Sequence, residues 1–238
     1  MKTMLKTGLA ALMLLLAISC KKENSSKQFL SANDNSSTEA LLSNIDGSAS
    51  DTISIGTQAW RSINLNLDHY RNGDKIPQVT DPAAWVSLTT GAWCYYNNDP
   101  ATGAVYGKLY NWYAVVDGRG LAPKGWHIPS DKEWTKLTTF LGGEAVAGGK
   151  MKETGTTHWY YPNGDATNSS GFTALPSGYR STDTFAGTFD LIGNRGFWWS
   201  TSSLMSYSWS RSLNYGNGII YRTYNIRQYG YSVRCIKD

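Results

Sequence analysis

All ten tryptophans, all fifteen tyrosines and five of the six phenylalanines fall between residues 51 and 238, in a stretch punctuated throughout by Gly, Asn, Asp and Pro. So many large rings are covered only if they share a sizeable core, and a stretch of this length can bury about 70% of its unfolded surface. The runs between the punctuation are short and alternating, which favours strands and turns over helices. TISIGTQAW at 52–60 reads as two short strands about Gly56 and Thr57, and the closing run sets Tyr231, Val233 and Cys235 on one strand face. There is no internal repeat of fixed period.

Helical signals are few, and the clearest lies in GWHIPSDKEW at 125–134. Ser130 and Glu133 form a capping box, in which each side chain satisfies a backbone donor of the other residue. Trp134, Leu137 and Leu141 follow on one helical stripe, and Gly142-Gly143 supplies the stop. A second short helix is predicted over 144–151, weakened by Gly148 and Gly149. The segment is therefore mostly folding grammar. His127 becomes a general acid or base only with a partner in reach.

The N-terminal fifty residues read differently. Lys2 and Lys6 precede an uncharged, mostly apolar run from Gly8 to Ser19, too short for a membrane-spanning helix but suited to a secretory signal over 1–19. Leu16-Ala17-Ile18-Ser19-Cys20 resembles a bacterial lipobox, which makes Cys20 the expected lipidation site and the membrane contact one of N-terminal lipid alone. Residues 20–50 are polar and carry one aromatic, Phe29, as a flexible tether does, and 51–238 form one domain. The expected location is the cell envelope, as an outer-membrane lipoprotein facing the periplasm or the cell surface. With Cys20 lipidated, Cys94 and Cys235 remain in a compartment where disulfides persist, and a Cys94–Cys235 bridge is expected. Two separate buried thiols are the alternative. The formal charge of +4 includes no basic run, so nucleic acid is not an expected partner.

A search for catalytic chemistry returns little. There is no G-x-S-x-G elbow, no H-E-x-x-H helix and no phosphate-binding loop. His69, His127 and His158 lack ligand spacing, so no metal site is expected. A calcium-dependent sugar site would carry a Glu-Pro-Asn or Gln-Pro-Asp loop, and neither occurs. No cofactor is expected, and a structural calcium has no supporting motif: the oxygen-rich runs at 97–100 and 163–170 read as turns. Binding by aromatics is harder to dismiss. HWYYPNGDATN at 158–168 places Trp159, Tyr160 and Tyr161 beside Asn163, Asp165 and Asn168, rings for a sugar face and amides or a carboxylate for its hydroxyls. Arg195 is a further candidate contact. The competing reading puts Trp159 and one tyrosine in the core, where FWWSTSS at 197–203 is also expected.

IGTQAW at 55–60, YGKLYNWYA at 106–114, GWHIPSDKEW at 125–134, GFTALPSGYR at 171–180, FWWSTSS at 197–203 and YSVRCIKD at 231–238 together resemble the Fibrobacter succinogenes major paralogous domain, often abbreviated FISUMP. Members are typically secreted or lipid-anchored proteins of the Bacteroidetes and Fibrobacteres type. The resemblance implies an α+β, C-type-lectin-like fold, mostly antiparallel β with about two helices and long loops, similar also to formylglycine-generating enzymes. Those enzymes use a pair of cysteines near the end of the fold, where this sequence has Cys235 alone. The functional expectation is a non-enzymatic binding module for a glycan or polysaccharide at the cell surface. A structural or protein-interaction module is the alternative, and an enzyme on the formylglycine-type scaffold ranks last.

Overall fold

The computed structural model describes residues 51–182 and 187–238. The expected signal peptide, the lipidation site Cys20 and the tether lie outside the described residues. The fold is mixed α+β, its strands mostly antiparallel.

A four-stranded sheet joins the two ends of the domain. β1 (Thr52–Ile55) and β2 (Gln58–Arg61) form the expected hairpin, with Gly56 at φ 61°; β11 (Ile236–Lys237) then sits between β2 and β5 (Trp126–His127). β3 (Trp93–Cys94) and β4 (Leu109–Tyr110) make a small ribbon. The main sheet has the order β10-β9-β8-β6-β7, from β6 (Ser177–Arg180), β7 (Phe189–Ile192), β8 (Arg195–Leu204), β9 (Tyr207–Asn214) and β10 (Ile220–Ile226). Its β6–β8 contact is parallel and its other pairings are antiparallel.

Five α-helices occur among the described residues, where about two were expected. α1 (Pro82–Val86), α2 (Pro100–Tyr106) and α3 (Trp112–Val115) are one or two turns long, each started by an Asp or Asn cap too local to stand out as a periodic stripe. The two longer ones are those read from sequence. α4 (Asp131–Phe140) has the full capping box and buries Trp134 and Leu137; α5 (Glu144–Met151) runs straight through its two glycines. Those glycines are required by packing. A Cβ on Gly149 would lie 2.4 Å from the Asp165 carbonyl oxygen, and one on Gly148 would lie 2.7 Å from that of Ile219.

β8 separates two aromatic cores. Phe197 and Trp199 face a cluster containing Tyr110, Trp112, Tyr231 and Val233, whereas Trp198, on the opposite face, joins Trp60, Trp134, Trp159 and Phe172 beneath α4 and α5. Cys94 and Cys235 are both buried but are not bridged. Cys94 packs with Trp85 and Leu109 in a third cluster, while Cys235 fills the first, so their side chains serve different cores. Burial pushes the Cys94 thiol up to about 12, against the opposing pull of Arg180.

Candidate functional site

His127 is the one histidine with two carboxylates in reach. Its Nδ1 is 2.8 Å from Asp238 and its Nε2 2.8 Å from Glu133, whose other oxygen accepts from the Ser130 backbone N–H and hydroxyl at 2.7 Å. Partial burial pulls the imidazole pKa down, but the hydrogen bonds and charges of Glu133 and Asp238 outweigh it and hold the value above normal. An imidazolium donating from both nitrogens has no lone pair with which to act as a base. His127 thus ties the start of α4 to the last residue of the chain.

The 158–171 loop is organised from below by Lys152. Its ammonium is fully buried and donates to the carbonyls of Gly164, Asn214 and Asn217 at 2.7, 3.0 and 2.9 Å, so that one cation holds the loop against the β9–β10 connection. Burial pushes its pKa down to about 8, with Asp165 opposing. The same device recurs at Arg234, also fully enclosed, which donates to Asn64 Oδ1 and to the carbonyls of Arg61, Phe172 and Thr173.

The loop divides the residues expected to touch a ligand. Trp159 is 1% exposed and its indole donates to the Ala174 carbonyl, so it is a core ring with no face for a sugar. Asn163 is buried as well, its amide spent on the carbonyls of Glu153 and Gly155. Asp165 accepts from the Gly218 amide, and Asn168 holds both the backbone N–H and the hydroxyl of Thr173. Four of the seven expected contacts are therefore spent on the core and the loop itself. Tyr160 and Tyr161 do face solvent, 55% and 84% exposed. The Tyr160 amide donates to Gly193, its ring abuts the same glycine and meets Tyr215 edge-on, and the Tyr215 amide donates to Asn194. Arg195 follows at the start of β8, half-buried and paired with Asn214 in the ladder, its side chain making no hydrogen bond or ion pair among the described residues. Tyr160 thus packs on the β7–β8 turn that leads into Arg195, with Tyr161 next to it in the chain, and this corner of the domain holds the three expected contacts left over.

A second aromatic surface has no counterpart in the sequence reading. β9, YSWSRSLN, buries Ser208, Ser210 and Ser212 and turns Tyr207 and Trp209 to the other side. Across the ladder Trp209 faces Tyr224 and Tyr207 faces Ile226. That face is core where Trp198, Leu213 and Ile220 lie under the helices; Arg211 and Arg222, both on Asp131 at 2.8 Å, close its edge, and the rings continue beyond. At the strand ends an open groove of about 430 Å³ lies among Tyr113, Met205, Tyr207, Ile226, Arg227 and Gln228. Another groove, of about 510 Å³, runs between the β1–β2 turn and the exposed side of α4, with Lys132, Lys136 and Phe140 along it. Among the described residues no cluster of three or more His, Cys, Asp or Glu could hold a metal, and no helix is long and apolar enough to cross a membrane.

These features define a class: a mixed α+β domain in which buried cations tie loops to sheets and aromatic rings remain on two surfaces. The family model for the Fibrobacter succinogenes major domain matches residues 53–237, and the chain belongs to that family. No curated relative and no solved structure matches the chain.

Proposed function

We propose that this chain is an outer-membrane lipoprotein of the cell envelope, anchored through Cys20, whose C-type-lectin-like domain binds a glycan or polysaccharide without catalysis. Its site on this reading is the corner formed by Tyr160, Tyr161 and Arg195. The observation that carries the reading is Tyr161, a ring 84% exposed on a loop pinned from beneath by Lys152 and Asn163. A ring held out on fixed backbone loses little further freedom when it stacks on the apolar face of a sugar. Arg195 brings hydrogen-bond donors that the protein leaves unused among the described residues. Two larger sheets, two longer helices and domain ends paired in one sheet support the lectin-like assignment. The test is binding of the full chain to an array of neutral and acidic glycans, alongside Tyr160→Ala and Tyr161→Ala. Selective binding that both variants lose locates the site; a correctly folded chain that binds nothing on the array sinks the proposal.

A further inference from the structure

We infer that the groove at the ends of β9 and β10 is a second ligand site, built for a hexuronic-acid residue of an acidic glycan, an assignment that rests on the glycan reading above. The first support is the inverted pattern of β9. A strand with one face in the core places its large apolar residues there and its serines outside; β9 does the opposite over Tyr207–Ser210, leaving Tyr207 43% exposed opposite Ile226, with Tyr224 52% exposed beside it. The Tyr207 and Tyr224 rings lie 5.5 Å apart and form a short aromatic strip that runs into the groove.

The second support is Arg227. Most other arginines here are well spent: Arg211 and Arg222 on Asp131, Arg119 on Asp117, Arg180 on three carbonyls and Arg234 on four acceptors. Arg227 lies 4.5 Å over the Trp112 ring and gives one hydrogen bond, to the Met205 carbonyl at 2.8 Å. Its Nε is enclosed, its Nη1 makes no hydrogen bond and no carboxylate pairs with the guanidinium among the described residues. A guanidinium held by a ring and one carbonyl, with donors to spare at a groove, is the fork that a carboxylate fits. Around it stand the groups a sugar ring uses: the Tyr207 ring, the Ser206 hydroxyl, and the Gln228 amide joined to the Tyr113 hydroxyl at 3.2 Å. The volume of about 430 Å³ falls within the range of about 300–1,000 Å³ typical of small-ligand sites. A carboxylate on a hydroxyl-rich ring meets the remaining Nη donors of Arg227 and the aromatic wall together.

The test is calorimetric titration of the full chain with tetragalacturonate and with its methyl ester, which keeps the sugar backbone and removes the charge. Binding of the acid, weakened about tenfold or more in the ester and in Arg227→Gln, is expected. Because Arg227 also ties down Met205, Tyr207→Ala serves as a second variant and is expected to weaken binding with the melting temperature unchanged. Tyr161→Ala is expected to leave this binding intact. Equal affinity for acid and ester, or no effect of Arg227→Gln, overturns the assignment, as does equal, Arg227-dependent binding of poly-L-glutamate. Neutral-glycan binding lost only in Tyr161→Ala, with no uronate bound, overturns this site and leaves the corner site standing.

Discussion

The Lys152 ammonium lies 2.7 Å from the carbonyl oxygen of Gly164, and that contact fastens the longest irregular connection among the described residues to the residue that ends α5. Two further carbonyls complete its shell. Lys152→Met fills the space but strands three buried acceptors, so a loss of about 3 kcal/mol or more is expected in urea unfolding. Calcium chelation is expected to leave the wild-type melt unchanged, since an internal cation does the holding. With its pKa at about 8 in the folded state, below the unfolded value, Lys152 makes wild type gain stability relative to Lys152→Met as pH rises from about 8 to 10.5.

His127 gives the opposite slope. Its folded pKa is raised, so its contribution is fully present below the unfolded value of about 6.5 and is lost as pH rises through the folded value. Melting temperatures of wild type and His127→Gln are expected to differ most at pH 5–6 and to converge at higher pH. Equal differences at pH 5.5 and pH 9 would contradict a charged clip.

Trp159 and Tyr161, two positions apart, are expected to separate stability from binding. Trp159→Ala empties a core site and is expected to cost about 3–5 kcal/mol. Tyr161→Ala is expected to stay within about 0.5 kcal/mol of wild type while removing glycan binding. Chemical denaturation of the two variants beside the binding assay checks both.

Gly149→Ala tests the close approach of α5 to the loop. In an open helix this change helps by propensity, but here the new methyl meets the Asp165 carbonyl at 2.4 Å, and a loss of about 1–3 kcal/mol is expected in the urea midpoint.

Cys94 is expected to resist alkylation at pH 8 in the native protein and to react once the domain is unfolded, because burial both shields the thiol and raises its pKa. Peptide mapping after iodoacetamide treatment distinguishes this from a bridged pair, which would stay unmodified in both states.

Local chemistry was what the sequence carried well. The Ser130–Glu133 box and its Trp134–Leu137 stripe involve neighbours in the chain, and they appear as expected. The β1–β2 turn at Gly56 and the core placement of Trp198 and Trp199 were equally legible. HWYYPNG could not say which ring turns inward, because that depends on Ala174 and Phe172 arriving from elsewhere. Lys152 gave no signal at all, since its partners are backbone carbonyls that any residue could supply. The serines of β9 run against the usual rule: small polar residues mostly face solvent, and here they pack inside while Tyr207 looks out.

β8 lines both large cores with consecutive residues, Trp198 on one side and Trp199 on the other. No seam therefore exists along which one half could melt before its neighbour. Loosening either core strips the wall from the other, so calorimetry, near-ultraviolet dichroism and tryptophan emission should trace one superimposable transition, the optical signature of a domain that fails all at once.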